Sequence, residues 1–304
     1  MSGKHRSSGR EGDPWPAPKG IRLLATDLDG TLLRSDGSVS QRTRHALRHA
    51  RDAGLLVAFV TGRPPRWLHE VADATGHLGL AVAANGAVLY DLSTESVVTE
   101  HLLAPQLLAE VTAELRAAFP RIAFGLEYGG NPDRGEHPFS TFGSEPAYIH
   151  DWDINPRADR NGRPIPPPLV AELETLISQP GVKLLAKDRD ADPDGFMAAA
   201  SALLAGRVSI THSSNFGLLE IGASGITKAS GLAQLAQTHG IDRDDVAAVG
   251  DMPNDVPMLS WAGHSYAVAN AHPSVLDLAA HRLPSNDEDA VAQLIEALLS
   301  EDRG

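Results

Sequence analysis

Two aspartates stand one residue apart at the end of an apolar run, in the segment LLATDLDGTLLRSDG that covers residues 23–37. On an extended backbone this spacing places Asp27 and Asp29 on the same side of the chain. Two carboxylates this close are costly unless a positive charge lies between them. The pair therefore indicates either a simple turn at a strand end or a site that depends on a cation.

Three further polar clusters punctuate the chain: Thr61-Gly62-Arg63, Lys228, and the run GDMPND at residues 250–255. The first and the last of them follow directly after apolar runs, as the aspartate pair does. Ligands of an open parallel sheet bind outside the carboxyl ends of its strands. Because Lys228 begins a helix that leads into the next apolar run, we expect all four clusters to meet at one rim.

The side chains of the four clusters, taken together, favour phosphoryl transfer as the chemistry of the site. Four aspartates offer hard oxygen ligands, with no histidine among them: Asp27, Asp29, Asp251 and Asp255. Such sites suit Mg²⁺, which binds a few carboxylates and shares the oxygens of a substrate phosphate. Lys228 and the Thr61 hydroxyl are suitable partners for a phosphate, and positioning with charge neutralisation carries most of the catalysis in such reactions.

The apolar pattern predicts the elements that position these clusters. Buried strands and amphipathic helices alternate over residues 20–86 and again over residues 223–304, whereas residues 87–222 have more amphipathic strands and longer connections. This rhythm predicts an α/β fold, with a doubly wound Rossmann-like parallel sheet as the core and an inserted α+β cap domain. Residues 1–19 are expected to be a disordered tail, and residues 129–168 mostly loop.

Composition narrows the classes of protein. The chain has 304 residues, 42% hydrophobic residues, a formal net charge of −13 and no cysteine. So acidic a surface makes nucleic acid an unfavourable partner. The sequence has neither the roughly 20-residue apolar run of a membrane span nor the apolar segment of a secretory signal. We therefore expect a cytoplasmic protein that acts without a membrane, and no obligate protein partner can be read from the sequence.

Taken together, the clusters resemble the haloacid dehalogenase (HAD) superfamily of phosphatases. That family has an Asp-x-Asp-Gly-Thr motif, a Thr or Ser after the second strand, a Lys, and an acidic Gly-Asp-x-x-Asn-Asp motif, in this order. The segments LDGTLL, TGR, ANGA, ITK and GDMPND resemble the motifs of its Cof-type branch, in which a type IIB cap domain follows the third strand. Asn85-Gly86 would then lead into the cap. The resemblance covers residues 21–300, and Ala229 departs from the glycine that often follows the lysine.

The resemblance implies roles for the four aspartates. Asp27 resembles the nucleophile that forms an aspartyl-phosphate, and Asp29 resembles the general acid and base. Asp251 would bind Mg²⁺ together with Asp27 and the backbone carbonyl of Asp29. Asp255 would hold the metal or its waters.

The remaining motif residues are expected around the substrate. The phosphate-binding set is Thr61, Gly62, Lys228 and Asn254, and Arg63 and Asn85 are expected close to the substrate. Specificity is expected in the cap, where four residues are candidate contacts: Tyr128, Arg134, His137 and Arg163. The function implied is a Mg²⁺-dependent phosphatase that hydrolyses a small phosphorylated metabolite, such as a sugar phosphate.

Alternatives remain open at this point. A phosphosugar mutase or phosphotransferase would pass the phosphoryl group to another hydroxyl, and a catalytically weak protein would use the same site to sense a phosphorylated ligand. A calcium-binding EF-hand loop is excluded, since its sixth and twelfth positions, counted from Asp27, are Leu32 and Ser38 instead of Gly and Glu. The chain also lacks the phosphate loop of nucleotide-driven motors and the nucleophile elbow of acyl-transfer enzymes.

Overall fold

The structure, a computed structural model, describes residues 18–129, 142–150 and 167–301. Its strands are β1 (Leu23–Thr26), β2 (Leu56–Val60), β3 (Leu80–Ala83), β4 (Val88–Asp91), β5 (Ser96–Glu100), β6 (Ala123–Tyr128), β7 (Phe142–Ser144), β8 (Leu169–Val170), β9 (Gly181–Lys187), β10 (Val208–Thr211), β11 (Leu218–Ala223), β12 (Val246–Gly250), β13 (His264–Ala267) and β14 (His281–Arg282). Its α-helices are α1 (Gln41–Asp52), α2 (Leu68–Thr75), α3 (Pro105–Ala118), α4 (Leu173–Leu176), α5 (Pro193–Leu204), α6 (Lys228–Thr238), α7 (Val256–Trp261), α8 (Pro273–Leu278) and α9 (Ala290–Glu301).

The larger sheet has eight strands in the order β14-β13-β12-β1-β2-β3-β4-β5. The first six strands in this order pair in parallel. Strand β4 is antiparallel to β3, and β5 is antiparallel to β4. Strands β1, β2 and β12 are buried almost throughout, as their continuous apolar runs predict for a sheet covered on both faces. The predicted α/β class with a parallel sheet is confirmed.

Helix α1 shows how local sequence sets the elements around this sheet. The Ser40 hydroxyl caps the helix by accepting a hydrogen bond from the backbone N–H of Thr43 at 3.0 Å. Ala46, Leu47 and Ala50 follow at helical spacing and are buried. Gly54 then turns the chain at φ +82°, a conformation that glycine adopts without strain.

The second sheet has six strands in the order β10-β11-β9-β6-β7-β8 and a hydrophobic core of its own, formed with α3 and α5. Its neighbours are antiparallel, apart from the parallel pair β7–β8. The apolar pattern of the sequence predicts one hairpin from residues 87–91 and 96–102 and a second from residues 207–213 and 216–222, and the pairs β4–β5 and β10–β11 agree with it. Among the described residues, no helix combines the length and hydropathy that crossing a bilayer requires.

Several sequence expectations differ from the structure. The hairpin β4–β5, placed in the cap by the predicted boundary at residue 87, extends the larger sheet because β4 pairs with β3. We therefore propose that the inserted module starts near Leu103. The segment PPLVAELETLIS, residues 167–178, predicts a helix with prolines at its start, but the helix is shorter, because Leu169 and Val170 pair with β7 and leave only Leu173–Leu176 helical. The sequence analysis also missed β7, α8 and β14, which are too short to show a clear period.

Candidate active site

Four neighbouring strands of the larger sheet, β12, β1, β2 and β3, end at the same rim. Asp27 follows β1, Thr61 follows β2, Asn85 lies two residues after the end of β3, and Asp251 follows β12. Lys228 is the first residue of α6, whose N-terminus is closed by a capping box between Thr227 and Ser230. The predicted convergence of the four clusters is thus what the structure shows.

Lys228 is fully buried between two carboxylates. Its Nζ lies 2.9 Å from Asp27 Oδ1 and 2.7 Å from Asp255 Oδ1. Asp27, Asp251 and Asp255 are also buried, and each offers an oxygen within 4.8 Å of the others. One ammonium cannot balance three carboxylates, so the cluster has room for a further positive charge. These oxygens are hard ligands of the kind that Mg²⁺ prefers.

Asp255 is fully occupied by hydrogen bonds within the protein. Its Oδ1 contacts Lys228, and its Oδ2 accepts from the backbone N–H groups of Asp251 at 2.9 Å and Met252 at 3.1 Å. The carboxylate therefore shapes the loop that carries Asp251. This contact set favours the indirect part of its predicted role, in which Asp255 supports the metal site without ligating the metal.

Two glycines allow this crowding. A Cβ on Gly30, at φ +72°, would lie 2.3 Å from Asp251 Oδ2, and a Cβ on Gly250 would lie 2.5 Å from Asp255 Cγ. The backbone can approach the carboxylates closely only because both positions lack a side chain. Thr31, to which the sequence analysis gave no role, donates its hydroxyl to Asp251 Oδ1 at 3.0 Å and orients that carboxylate.

Burial and crowding raise the pKa of two of these carboxyls. Burial is the largest cause for Asp27, whose pKa rises to about 7 despite the nearby ammonium of Lys228. Burial and then the charge of Asp27 raise the pKa of Asp251 to about 9. Burial alone would lower the pKa of Lys228, but Asp255 and Asp27 raise it, so the ammonium stays charged. A cation bound among these carboxylates would favour their ionised forms.

Asp29 lies apart from the buried cluster. Its side chain is 59% exposed, and both carboxylate oxygens accept hydrogen bonds from Arg63, at 2.7 and 2.6 Å. The carboxylate of Asp29 is therefore free to exchange protons with solvent or a ligand once Arg63 releases it. Its side chain is not part of the group of metal-competent carboxylates found among the described residues.

The loop after β2 presents a buried hydroxyl to the same space. Thr61 Oγ1 accepts from the backbone N–H of Arg63 at 3.1 Å, which leaves the hydroxyl hydrogen available to donate to a ligand. The carbonyl of Gly62 accepts from Lys183 Nζ at 2.7 Å. The inserted module thus touches the loop that carries two of the predicted phosphate-binding residues.

Asn85 and Asn254 form a hydrogen-bonded pair below this loop. Asn254 Nδ2 donates to Asn85 Oδ1 at 3.1 Å, and Asn85 Nδ2 donates to Glu220 Oε2 at 2.7 Å. Asn85 adopts a left-handed conformation at φ 55°, which asparagine tolerates better than most residues. Glu220 also accepts from Lys183 Nζ at 2.7 Å, and all four side chains are buried.

A cavity of about 200 Å³ lies between the two sheets and includes most of the predicted site. Its walls include Asp27, Asp29, Thr61, Gly62, Arg63, Trp67, Glu127, Lys183, Phe216, Glu220 and Asn254. A larger cavity of about 770 Å³ lies elsewhere and is lined by four arginines, of which Arg44, Arg48 and Arg51 belong to α1. Asp73 is the one carboxylate among its described lining residues, so the cavity between the sheets is the better candidate active site.

The sequence analysis missed the residues that the inserted module contributes. Glu127, Lys183 and Glu220 lie in β6, β9 and β11 and are almost fully buried. Arg66 pairs with Glu127 across the two sheets, with Arg66 Nη2 2.6 Å from Glu127 Oε1. Charged residues inside largely apolar strands were the available signal, because charged residues are rarely buried without a partner.

The four candidate specificity residues do not gain support here. Arg134, His137 and Arg163 lie outside the described residues. Tyr128 donates its hydroxyl to the backbone carbonyl of Leu176 at 3.0 Å, a contact within the inserted module.

Comparisons with known proteins agree with this geometry. The family model of haloacid dehalogenase-like hydrolases matches residues 24–295. The chain is 28% identical over 285 residues to the Bacillus subtilis protein named putative phosphatase YxeH, a match that covers 91% of this chain and 98% of YxeH. It is also 28% identical over 296 residues to the 5-amino-6-(5-phospho-D-ribitylamino)uracil phosphatase YwtE of the same organism, a match that covers 92% of this chain and 99% of YwtE.

Solved structures show the same fold. SMU.1108c from Streptococcus mutans superposes with a TM-score of 0.75 at 23% identity, covering 92% of this chain and 99% of that chain. The HAD subclass IIB sugar phosphatase BT4131 superposes with a TM-score of 0.69 at 17% identity, covering 90% of this chain and 98% of its own. The resemblance inferred from the motifs is confirmed, and the chain belongs to the haloacid dehalogenase-like hydrolases.

Proposed function

We propose that the protein is a Mg²⁺-dependent phosphatase that hydrolyses a small phosphorylated metabolite through an aspartyl-phosphate on Asp27. The observation that carries the proposal is the position of Asp27. Its carboxylate lies at the end of β1 in contact with the Lys228 ammonium, with Asp251 beside it. A nucleophile, a cation and a further carboxylate ligand thus lie together in one buried cluster, and Asp27 of this cluster lines the cavity.

The donor set fits a divalent metal. Asp27 and Asp251 would hold Mg²⁺, and Asp255 would support them through its bonds to the loop and to Lys228. Burial first, and then the neighbouring carboxylates, raise the pKa values of Asp27 and Asp251 although the Lys228 ammonium is close, so a further cation would be favourable there. Bound Mg²⁺ would supply charge neutralisation for the phosphoryl oxygens. The backbone carbonyl of Asp29 is a further proposed ligand.

In the first step, an Asp27 carboxylate oxygen attacks phosphorus and the bond from phosphorus to the leaving oxygen breaks. Asp29 donates a proton to that oxygen, so the product leaves as an alcohol. In the second step, water attacks the phosphorus of the aspartyl-phosphate, Asp29 takes a proton from this water, and the bond to Asp27 breaks. Splitting the displacement in two lets one carboxylate serve as the nucleophile.

The phosphoryl oxygens are held by donors of the core. The Lys228 ammonium and the free hydroxyl hydrogen of Thr61 both lie at this rim. The backbone N–H of Gly62 is a further proposed donor. Arg63, now paired with Asp29, would release the carboxylate when a substrate enters. These groups position the phosphoryl group and balance its charge, which is most of what this reaction requires.

Release of p-nitrophenol from p-nitrophenyl phosphate, with Mg²⁺ and after EDTA treatment, tests the proposal. Wild type should turn over only with the metal, and Asp27→Asn should lose activity while keeping its fold. Asp244→Asn is the matched control, because the Asp244 side chain is 89% exposed and should tolerate the change. Metal-dependent activity that persists in Asp27→Asn would refute the nucleophile assignment.

A panel of phosphorylated metabolites then addresses the substrate. It should include sugar phosphates and the ribitylaminouracil phosphate named for the relative YwtE. Measurement of inorganic phosphate separates a phosphatase from a phosphotransferase, since only hydrolysis releases it. Very slow turnover on the whole panel would instead favour a sensor of phosphorylated ligands.

A further inference from the structure

Glu220, on β11 of the inserted module, is linked to Asn254 of the core through Asn85. The link is a chain of two hydrogen bonds, from Asn254 Nδ2 to Asn85 Oδ1 and from Asn85 Nδ2 to Glu220 Oε2. Asn85 is 9%, Glu220 6% and Asn254 4% exposed. Buried polar groups need partners of matching polarity, so the direction of each bond has consequences for the next one.

Glu220 sets the donor-to-acceptor direction of these two hydrogen bonds. Its Oε2 receives hydrogen bonds from Lys183 Nζ and Asn85 Nδ2, and its Oε1 receives one from the hydroxyl of Ser213. Burial alone would raise the pKa of Glu220, but Lys183 and these hydrogen bonds hold it below its usual value. Glu220 is therefore a carboxylate that can only accept.

Each amide must then point in one direction. Asn85 has to turn its NH₂ group toward Glu220, which leaves its carbonyl facing Asn254. Asn254 has to turn its own NH₂ group toward that carbonyl. The remaining atom, Asn254 Oδ1, is buried and has no hydrogen-bond partner among the described residues. A flipped Asn254 would place two acceptors against each other unless Asn85 also flipped, and Glu220 prevents that.

We propose that Glu220 is a positioning residue which, through Asn85, holds Asn254 with its carbonyl available as a hydrogen-bond acceptor in the active site. Asn254 lines the cavity that contains Asp27, Asp29 and Thr61. An acceptor there receives a bond from a donor, either water or a hydroxyl of the leaving group, and repels a phosphoryl oxygen. This role replaces the predicted phosphate contact of Asn254, and it rests on the proposed phosphatase function.

The arrangement also gives the inserted module a means of acting on the core. Glu220 and Lys183 belong to the second sheet, whereas Asn85, Asn254 and the Gly62 carbonyl belong to loops of the first. The orientation of Asn254 is therefore specified only while the two sheets are in contact. Without Glu220 the two asparagines keep their mutual bond but lose the group that selects its direction.

Variants of Glu220 test the polarity directly. Glu220→Gln keeps an oxygen toward Asn85, because the Lys183 ammonium disfavours an NH₂ group at that position. Its kcat/KM for p-nitrophenyl phosphate should stay within about threefold of wild type. Glu220→Met removes the acceptor and should lower kcat/KM about tenfold, the effect of one buried hydrogen bond to a charged group. Equal losses in both variants would overturn the proposal.

A double-mutant cycle distinguishes coupling between Glu220 and Asn254 from a nonspecific loss of activity. In an Asn254→Ala background, Glu220→Met should change kcat/KM by less than about twofold, because the group that it orients is gone. Glu127→Met is the matched control, since Glu127 is a buried acid of the same cavity that does not touch Asn85. Its effect should multiply with that of Asn254→Ala. If the fold-change of Glu220→Met also multiplied with that of Asn254→Ala, the proposed link from Glu220 through Asn85 to Asn254 would be refuted.

Two readouts complete the test. The inhibition constant of inorganic phosphate should change by less than about twofold in Asn254→Ala, and clearly weaker inhibition would show that Asn254 binds phosphate instead. A kcat loss with p-nitrophenyl phosphate, whose leaving group has no hydroxyl to donate from before cleavage, identifies water as the donor. A rise in KM that is confined to glucose 6-phosphate identifies a hydroxyl of the leaving group as the donor.

The same cycle measured in the free energy of unfolding does not depend on activity. Nonadditive unfolding energies of Glu220→Met and Asn254→Ala would support the link even if wild type hydrolysed no phosphate ester, and additive energies would contradict it. Failure of this link and failure of the phosphatase proposal are thus distinguishable.

Discussion

Arg63 donates hydrogen bonds to both carboxylate oxygens of Asp29, at 2.7 and 2.6 Å, in the wall of the cavity that Asp27 also lines. In the proposed mechanism this pair must open whenever Asp29 exchanges a proton with the leaving oxygen or with water. A partly exposed pair of this kind is worth at most about 1 kcal/mol, so opening it adds little to the barrier.

The first prediction compares the two members of this pair. Arg63→Gln should change kcat for p-nitrophenyl phosphate by less than about fivefold, because it removes only the partner of Asp29. Asp29→Asn should lower kcat by about 100-fold or more, because the general acid and base is lost. Steady-state kinetics at saturating Mg²⁺ measures both. An Arg63→Gln loss as large as that of Asp29→Asn would show that the guanidinium itself takes part in the reaction.

The second prediction concerns Lys228. Replacing it with Met leaves Asp27 and Asp255 buried without their cation, which should lower the free energy of unfolding by about 3–5 kcal/mol. Mg²⁺ should restore part of this loss, since it offers the carboxylates another positive charge. Urea unfolding with and without Mg²⁺ measures both effects. A loss below about 1 kcal/mol would mean that the carboxylates are protonated or solvated when Lys228 is absent.

The third prediction uses two glycines with similar backbones. Gly30→Ala places a Cβ against the Asp251 carboxylate, so it should displace Asp251, weaken Mg²⁺ binding at least about tenfold and lower kcat. Gly37→Ala is the control, because Gly37 has φ +79° with no atom within 4 Å of the added Cβ. It should cost only about 1 kcal/mol of stability and leave Mg²⁺ binding unchanged. Calorimetric titration with Mg²⁺ distinguishes steric displacement from backbone strain.

The fourth prediction addresses the contact between the sheets. Arg66→Met leaves the nearly fully buried carboxylate of Glu127 without its guanidinium, which should favour separation of the inserted module from the core. We expect KM for p-nitrophenyl phosphate to rise about tenfold, and the double variant Arg66→Met with Glu127→Met to recover most of the loss.

The control for this pair is Arg207→Met, whose partner Glu114 lies on the surface of the same inserted module. Breaking an exposed pair within one module should leave KM within about twofold of wild type. A similar KM rise in Arg207→Met would point to a general loss of stability and not to the contact between the sheets.

The fifth prediction is a pH dependence of stability far from the carboxylates. Burial against Phe59 lowers the pKa of His77 to about 4, from an ordinary value of 6.5. Above pH 6.5 His77 is neutral in both states and its contribution is complete. As the pH falls from 6.5 toward 4 the unfolded chain binds the proton first, so stability is lost.

His77→Phe is the variant that tests this dependence. Between pH 7.5 and pH 5 wild type should lose about 2 kcal/mol more than His77→Phe, measured by urea unfolding at both pH values. The comparison cancels the titration of the carboxylates, which is common to both proteins. Equal losses would place the low-pH instability in other groups.

Much of the fold and of the core half of the site follows from the sequence. Apolar runs, Ser40 as a helix cap and polar clusters at strand ends are local features, and a parallel sheet brings the carboxyl ends of its strands to one rim. For this reason the sequence alone predicts that Asp27, Thr61, Lys228 and Asp251 are neighbours. The sequence does not show that the hairpin β4–β5 joins the larger sheet or that Leu169 and Val170 form a strand before α4, because their pairing with β3 and β7 involves distant segments.

The amino-acid sequence by itself determined the family, the alternation of strands and helices in the core and the residues that carry the proposed chemistry, because motif spacing and hydrophobic period are properties of the chain. Only the tertiary structure decided which charges balance one another. Lys228 lies between Asp27 and Asp255, Arg66 meets Glu127, and Glu220 reaches Asn85 across two sheets. Such pairings depend on distance and burial in space, since a charge is strong only where water is excluded.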